Sequence, residues 1–229
     1  MKIYKANIKI NDCLKVFAFR NKYSLRANDL VRKIFDRIKN DRMGEFGEED
    51  IWVEIRRQKI PHSTFENFYV DANTKNDKIY LVIFLDHGFS EKDYQKLNFV
   101  LYEIIRHELE HVGKFSMGKK PDGKYVQLYY DLRNNNDIHD HVRMISQYIL
   151  SDTEIDSYAK SIMYVAKKQN KSVLEIVDQV IKRAFFGNDS KIMVEVMQNK
   201  EMKNIVEYTK NKLKEKIKEY FPTFKETWR

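Results

Sequence analysis

Residues 90 to 115, SEKDYQKLNFVLYEIIRHELEHVGKF, prescribe a long amphipathic helix, and what the chain can become depends on the side chains that helix turns inward. Ser90 has N-cap chemistry, Asp93 stands at the third helical position and Phe89 is placed to staple onto Tyr94, so the helix is expected to start at 91. Gly118 and Pro121-Asp122-Gly123 bound its far end. Leu97, Val100, Leu101, Ile104 and Ile105 recur three and four apart as a core-facing stripe, which leaves Glu103, Arg106 and Glu110 for an opposite, wet face. Continuing the stripe by the same steps reaches His107 and His111, with Glu108 beside them next to the line of Leu101 and Ile105. Two imidazoles are thereby directed into the interior, where a polar group without a partner costs about 1 to 3 kcal/mol.

His107-Glu108-Leu109-Glu110-His111 spells HExxH. Side chains at i and i+4 of a helix have Cβ atoms about 5 to 6 Å apart, which lets two imidazole nitrogens reach one zinc ion at about 2.0 to 2.1 Å. The intervening glutamate is then placed to touch a water on the metal without binding it. The competing interpretation is a pair of core histidines bonded to neighbouring carbonyls or carboxylates.

The rest of the chain reads as α+β. IYKANIKI and LKVFAFR, separated by Asn11-Asp12, form a plausible strand pair, and residues 28 to 40 have the spacing of an amphipathic helix. IWVEI at 51 to 55, FENFYV at 65 to 70 and KIYLVIFLD at 78 to 86 are rich in β-formers, the last apolar enough to lie within a sheet or to line a cleft. After the HExxH helix and a short strand over 125 to 132, helices are expected at about 137–150, 152–168, 172–186 and 190–220. Residues 1–116 therefore read as an α+β lobe with a mixed sheet packed on the HExxH helix, and 117–229 as a mainly helical lobe. No linker composition separates them, which points to one unit, and no internal repeat is present.

RHELEH resembles the zincin metallopeptidases. The metzincin extension HExxHxxGxxH is not met, since Lys114 and Met117 occupy the places of its glycine and third histidine. The gluzincin branch instead draws a glutamate from a later helix, and YILSDTEIDSYAKSI at 148 to 162 is similar to the segment that supplies it in small zinc peptidases of phage and bacterial origin. The resemblance implies a zincin-like unit in which zinc is held by His107, His111 and Glu154, with Glu108 as the catalytic base acting on a protein or peptide substrate. Ser151-Asp152-Thr153-Glu154 is also a capping box, which would give Glu154 a purely structural task. Asp156, His139 and His141 are the alternative third ligands, the two histidines standing at a helix start. Tyr158 occupies the place of the aspartate that supports a zinc histidine in thermolysin-type sites. The likeness covers about 20 residues and leaves 1–77 and 170–229 without a role.

Charge and cysteine content bound the remaining choices. Of 229 residues, 42% are hydrophobic, enough for a sizeable core, and 42 lysines and arginines against 34 acids give a net charge of +8. That balance favours acidic partners, yet no nucleic-acid motif accompanies it. The lysine-rich KNKLKEKIKEY, interleaved with Glu215 and Glu219, reads as a solvated helix face. The rival class is a basic nucleic-acid- or virion-associated binding protein with a structural or vestigial zinc site. The single cysteine, Cys13, excludes an intrachain disulfide and reads as core. With the alternating start MKIYKANIKI and no stretch long enough to span a membrane, the expectation is a cytoplasmic protein, and the Lys-, Asn- and Ile-rich composition allows a viral source.

Overall fold

The computed structural model describes residues 7–10, 50–57, 66–75, 78–116, 137–187 and 189–222. The fold is α+β, with a mixed sheet in the first half and a helical C-terminal part. The chain divides into two units, Met1–His62 with Glu66–Gly118, and Ser63–Phe65 with Lys119–Arg229.

In the first unit, strands β1 (Asn7–Ile10), β2 (Asp50–Arg57), β3 (Phe68–Lys75) and β4 (Lys78–Leu85) form one sheet in the order β1-β2-β4-β3. β2 runs parallel to β1 and β4, and β3 is antiparallel to β4. The apolar run of β4 is explained by its place between two neighbours. Ile79, Leu81, Ile83 and Leu85 are fully buried, while Tyr80, Val82 and Phe84 are half-buried on the other side. Ile51 and Val53 of β2 pair with Ile79 and Leu81 and extend the same inner face. β3 differs from expectation in extent. It begins at Phe68 and continues through the polar DANTK, because an edge strand needs only one apolar side and its backbone is satisfied by β4 in register from Phe68↔Leu85 to Lys75↔Lys78.

Helix α1 (Glu91–Ser116) packs on β3 and β4. Its start is capped as the sequence requires: Asp93 Oδ2 accepts from the Ser90 N–H at 2.9 Å and from the Ser90 hydroxyl at 2.6 Å. Phe89 sets its ring edge-to-face on Phe68, with centroids 6.3 Å apart. Leu97, Leu101 and Ile105 are fully buried, as the stripe predicts. The expected wet face is not wet. Glu103 and Glu110 are only 2% and 4% exposed, and Glu110 is ion-paired with Arg106 one turn before it. Periodicity identifies the apolar face of a helix, but it carries no information on whether the polar face is covered as well.

The second unit consists of α2 (Ile138–Ile149), α3 (Asp152–Gln169), α4 (Val173–Phe186), α5 (Ser190–Gln198) and α6 (Lys200–Tyr220). Each begins at a side chain that accepts from the first turn: Asp137, Ser151, Ser172, Asp189 and Asn199. α6 packs against each of the other four helices along Met202, Val206, Thr209, Leu213 and Ile217, a stripe spaced by threes and fours. The single helix expected over 190–220 is broken at Asn199, whose side chain accepts from Met202 N–H at 3.1 Å and starts a new helix. The exposed positions of α6 mix Lys200, Lys203 and Lys218 with Glu201, Glu207, Glu215 and Glu219, a solvated face of both charges. No helix among the described residues is long and apolar enough to cross a membrane. The strand expected at LKVFAFR, the helix over 28–40 and the strand over 125–132 lie outside the described residues.

Candidate metal centre

His107, Glu108 and His111 sit in the C-terminal half of α1, and all three side chains are buried. The helical repeat brings the two histidine Nε2 atoms to 3.0 Å of each other, with ring centroids 4.7 Å apart and planes at 74°. Two nitrogens bound to one zinc at tetrahedral angles would stand about 3.3 Å apart. The observed separation lies within a few tenths of an ångström of that, so the pair fits a shared ion without rearrangement of the helix. A single N–H donated from one ring to the other would give a similar distance, which makes the surroundings decisive.

Glu154 supplies the third group. One ligand atom from each of His107, His111 and Glu154 lies within 4.8 Å of the others, and this buried group could hold a metal ion. Capping does not consume the Glu154 carboxylate in the way a full capping box would. The Ser151 hydroxyl accepts from the Glu154 backbone N–H at 3.4 Å, but the Ser151 N–H, the donor a capping box assigns to the glutamate side chain, is bonded to the Tyr148 carbonyl at 3.1 Å.

Two of the alternative ligands, Asp156 and His139, make contacts elsewhere. Asp156 accepts from the Tyr220 hydroxyl at 2.6 Å and lies 3.5 Å from the Lys216 ammonium, so its carboxylate ties α3 to the end of α6. Burial and the Asp156 carboxylate together raise the Tyr220 pKa. His139 and His141 are in the first turn of α2, as the sequence suggests, and His139 Nε2 is 3.3 Å from the Asn199 amide nitrogen. Among the described residues, no other cluster of ligand-type side chains accompanies these three.

Sequence reasoning missed Thr74. Phe68, Val70, Ala72 and Thr74 share the inner side of β3, and the Thr74 hydroxyl donates to Glu108 Oε2 at 2.6 Å. Its distance to the Glu108 carbonyl oxygen is 3.4 Å. Extending the strand to residue 75 by strict alternation would have placed Thr74 on the side of the helix.

No protein-family profile, curated protein or solved structure matches this chain.

Proposed function

We propose that the chain is a zinc-dependent peptidase of gluzincin type, with His107, His111 and Glu154 as metal ligands and Glu108 as general base. The observation that carries the reading is the convergence of two buried histidine Nε2 atoms at 3.0 Å with a buried glutamate directly after the first of them. Two imidazoles and one carboxylate leave a fourth position open, the pattern of catalytic rather than structural zinc. Zinc bound there would supply a Lewis acid for a substrate carbonyl and lower the pKa of water toward about 7.

The protein's own share is proton transfer and alignment. Oε2 of Glu108 is engaged by Thr74, so Oε1 is the atom assigned to the proton. It accepts one from the water that attacks the peptide carbonyl carbon and delivers it to the amine nitrogen as the C–N bond breaks. The carboxylate ends as it began, and one residue serves both transfers. An extended substrate is best held by backbone hydrogen bonds to a strand edge. The run KIYLVIFLD at 78 to 86, which the sequence allowed to line a cleft, offers no edge for that task, because β4 is paired on both sides. β3, paired on one side among the described residues and adjacent to α1, takes the role in this reading.

The test is metal content and turnover measured together. The protein should purify with about one zinc per chain, His107→Ala or His111→Ala should lose it, and Glu108→Gln should keep it while losing chelator-sensitive cleavage of unfolded proteins. Wild-type turnover in Glu108→Gln would sink the assignment of the base. Stoichiometric zinc with no cleavage by the wild type, joined to salt-dependent binding of DNA, would favour the nucleic-acid-binding class instead.

A further inference from the structure

We propose that Thr74 is a positioning residue for Glu108, fixing the carboxylate so that Oε1 alone is presented for proton transfer, an inference that rests on the peptidase reading above. The hydroxyl has one hydrogen to give. At 2.6 Å from Oε2 and 3.4 Å from the Glu108 carbonyl oxygen, it is directed to the carboxylate, a short charge-assisted bond. The donor is itself held firmly, because a threonine side chain has restricted χ1 freedom and Thr74 stands opposite Ile79 in an unbroken register with β4. Glu108, by contrast, carries a side chain of three torsions from the helix. A general base must be kept within about 0.5 Å of its productive position, and the bond from β3 supplies a constraint that the helix backbone does not.

The strand assigned to substrate alignment is also the strand that orients the base. Sliding β3 relative to α1 would move both together. The link between Thr74 and Glu108 thus registers the proton acceptor against the peptide bond held at the same edge, which explains why the constraint comes from the strand rather than from another residue of α1.

The experiment compares Thr74→Val, which keeps the shape and removes the hydroxyl, with Thr74→Ser, which restores it. Three quantities are read: steady-state kcat and KM on an unfolded protein substrate, zinc affinity by chelator competition, and melting of the metal-free protein for Thr74→Val alone and combined with Glu108→Ala. Thr74→Val should lower kcat roughly tenfold or more, in line with the loss of a hydrogen bond to a charged acceptor, with KM and zinc affinity within about twofold of the wild type. Thr74→Ser should recover most of the rate. In the metal-free protein the melting penalty of Thr74→Val should vanish when Glu108 is alanine. Wild-type kcat in Thr74→Val overturns the proposal, while inactivity of Glu108→Gln in the same assay shows that the peptidase reading survives. A loss that serine does not rescue, or one accompanied by weakened zinc binding, assigns Thr74 a merely structural part and also overturns it. Absence of chelator-sensitive turnover in the wild type removes the peptidase reading and the positioning role together, and the metal-free melting comparison then reports the bond as structural alone.

Discussion

Replacing Glu154 by glutamine and, separately, by alanine distinguishes metal binding from helix capping at one position. The local structure sets the expectation for the metal-free protein. The bond from Glu154 to the Ser151 hydroxyl comes from the backbone N–H, which every residue retains, and the Ser151 N–H is already bonded to Tyr148. Glutamine should therefore not incur the roughly 0.5 to 2 kcal/mol that losing a cap costs, and the metal-free melting temperature should stay near that of the wild type. Zinc binding should respond very differently. Losing even a supporting partner of a ligand costs about 10- to 100-fold in metal affinity, so loss of the anionic ligand itself should reach at least about 100-fold. With free zinc at 1,000 times the wild-type Kd, binding stabilises the wild type by about 4.1 kcal/mol; a variant weakened 100-fold would gain about 1.4 kcal/mol under the same conditions. The difference of about 2.7 kcal/mol corresponds to a zinc-induced rise in melting temperature smaller by about 5 to 11 °C. Competition with a chromogenic chelator gives the affinity, and thermal melting with and without zinc gives the shift. Wild-type zinc affinity in Glu154→Ala would refute the reasoning and reopen the third position to Asp156, His139 or His141.

Two further predictions concern the scaffold. Ser146 and Thr209 are buried with their hydroxyl oxygens 2.7 Å apart, and the Thr209 hydroxyl donates to the Ile205 carbonyl at 2.9 Å, so Ser146 is the donor of the pair. Thr209→Val strands the Ser146 hydroxyl and should cost about 1 to 3 kcal/mol by urea unfolding, whereas Ser146→Ala leaves Thr209 bonded and should cost less; equal penalties would contradict the donor assignment. Burial acts to raise the Asp93 pKa, but hydrogen bonds from the Ser90 side chain, Asn67 and the Ser90 backbone, with Lys96 nearby, outweigh it and hold the carboxyl below the usual carboxylate range. The stability this contributes is fully present above the unfolded-state pKa of about 3.9 and is lost as pH falls through the lower folded value. Asp93→Asn should flatten that acid limb in a series of urea midpoints against pH, and an unchanged limb would show that other carboxylates govern it.

The parts of this molecule that the sequence made legible are those decided locally. Asp93 closes the start of α1 on Ser90 and Ser151 caps α3 as their chemistry says they should, and His107 and His111 converge because i and i+4 must converge on any helix. What was not legible depends on neighbours distant in the chain. Nothing in YLVIFL distinguishes an interior strand from an edge, since the property belongs to the strands beside it; the pairing of β4 with both β2 and β3 decided it. DANTK does not look like a strand until β4 is there to receive its hydrogen bonds, and Thr74 was overlooked for the same reason. The burial of Glu103 and Glu110 is not legible because polarity does not report exposure, and the break at Asn199 is not legible because its competing side-chain bond interrupts a pattern that remains helical on either side.

The burial of charge near the end of α1 supplies an argument for a cation that does not depend on recognising HExxH. Glu108 and Glu110 of α1 are buried, at 9% and 4% exposure. Glu110 is compensated by Arg106, and Glu108 is stabilised by a neutral hydroxyl, which bonds to its charge without balancing it. A buried carboxylate is costly unless something of opposite sign is held close by. Two neutral imidazoles sharing a proton would supply none. A divalent ion at the His107 and His111 nitrogens would bring positive charge beside the buried Glu108 carboxylate, so zinc should still co-purify with Glu108→Gln while its affinity by chelator competition falls modestly, and an unchanged affinity would refute the argument.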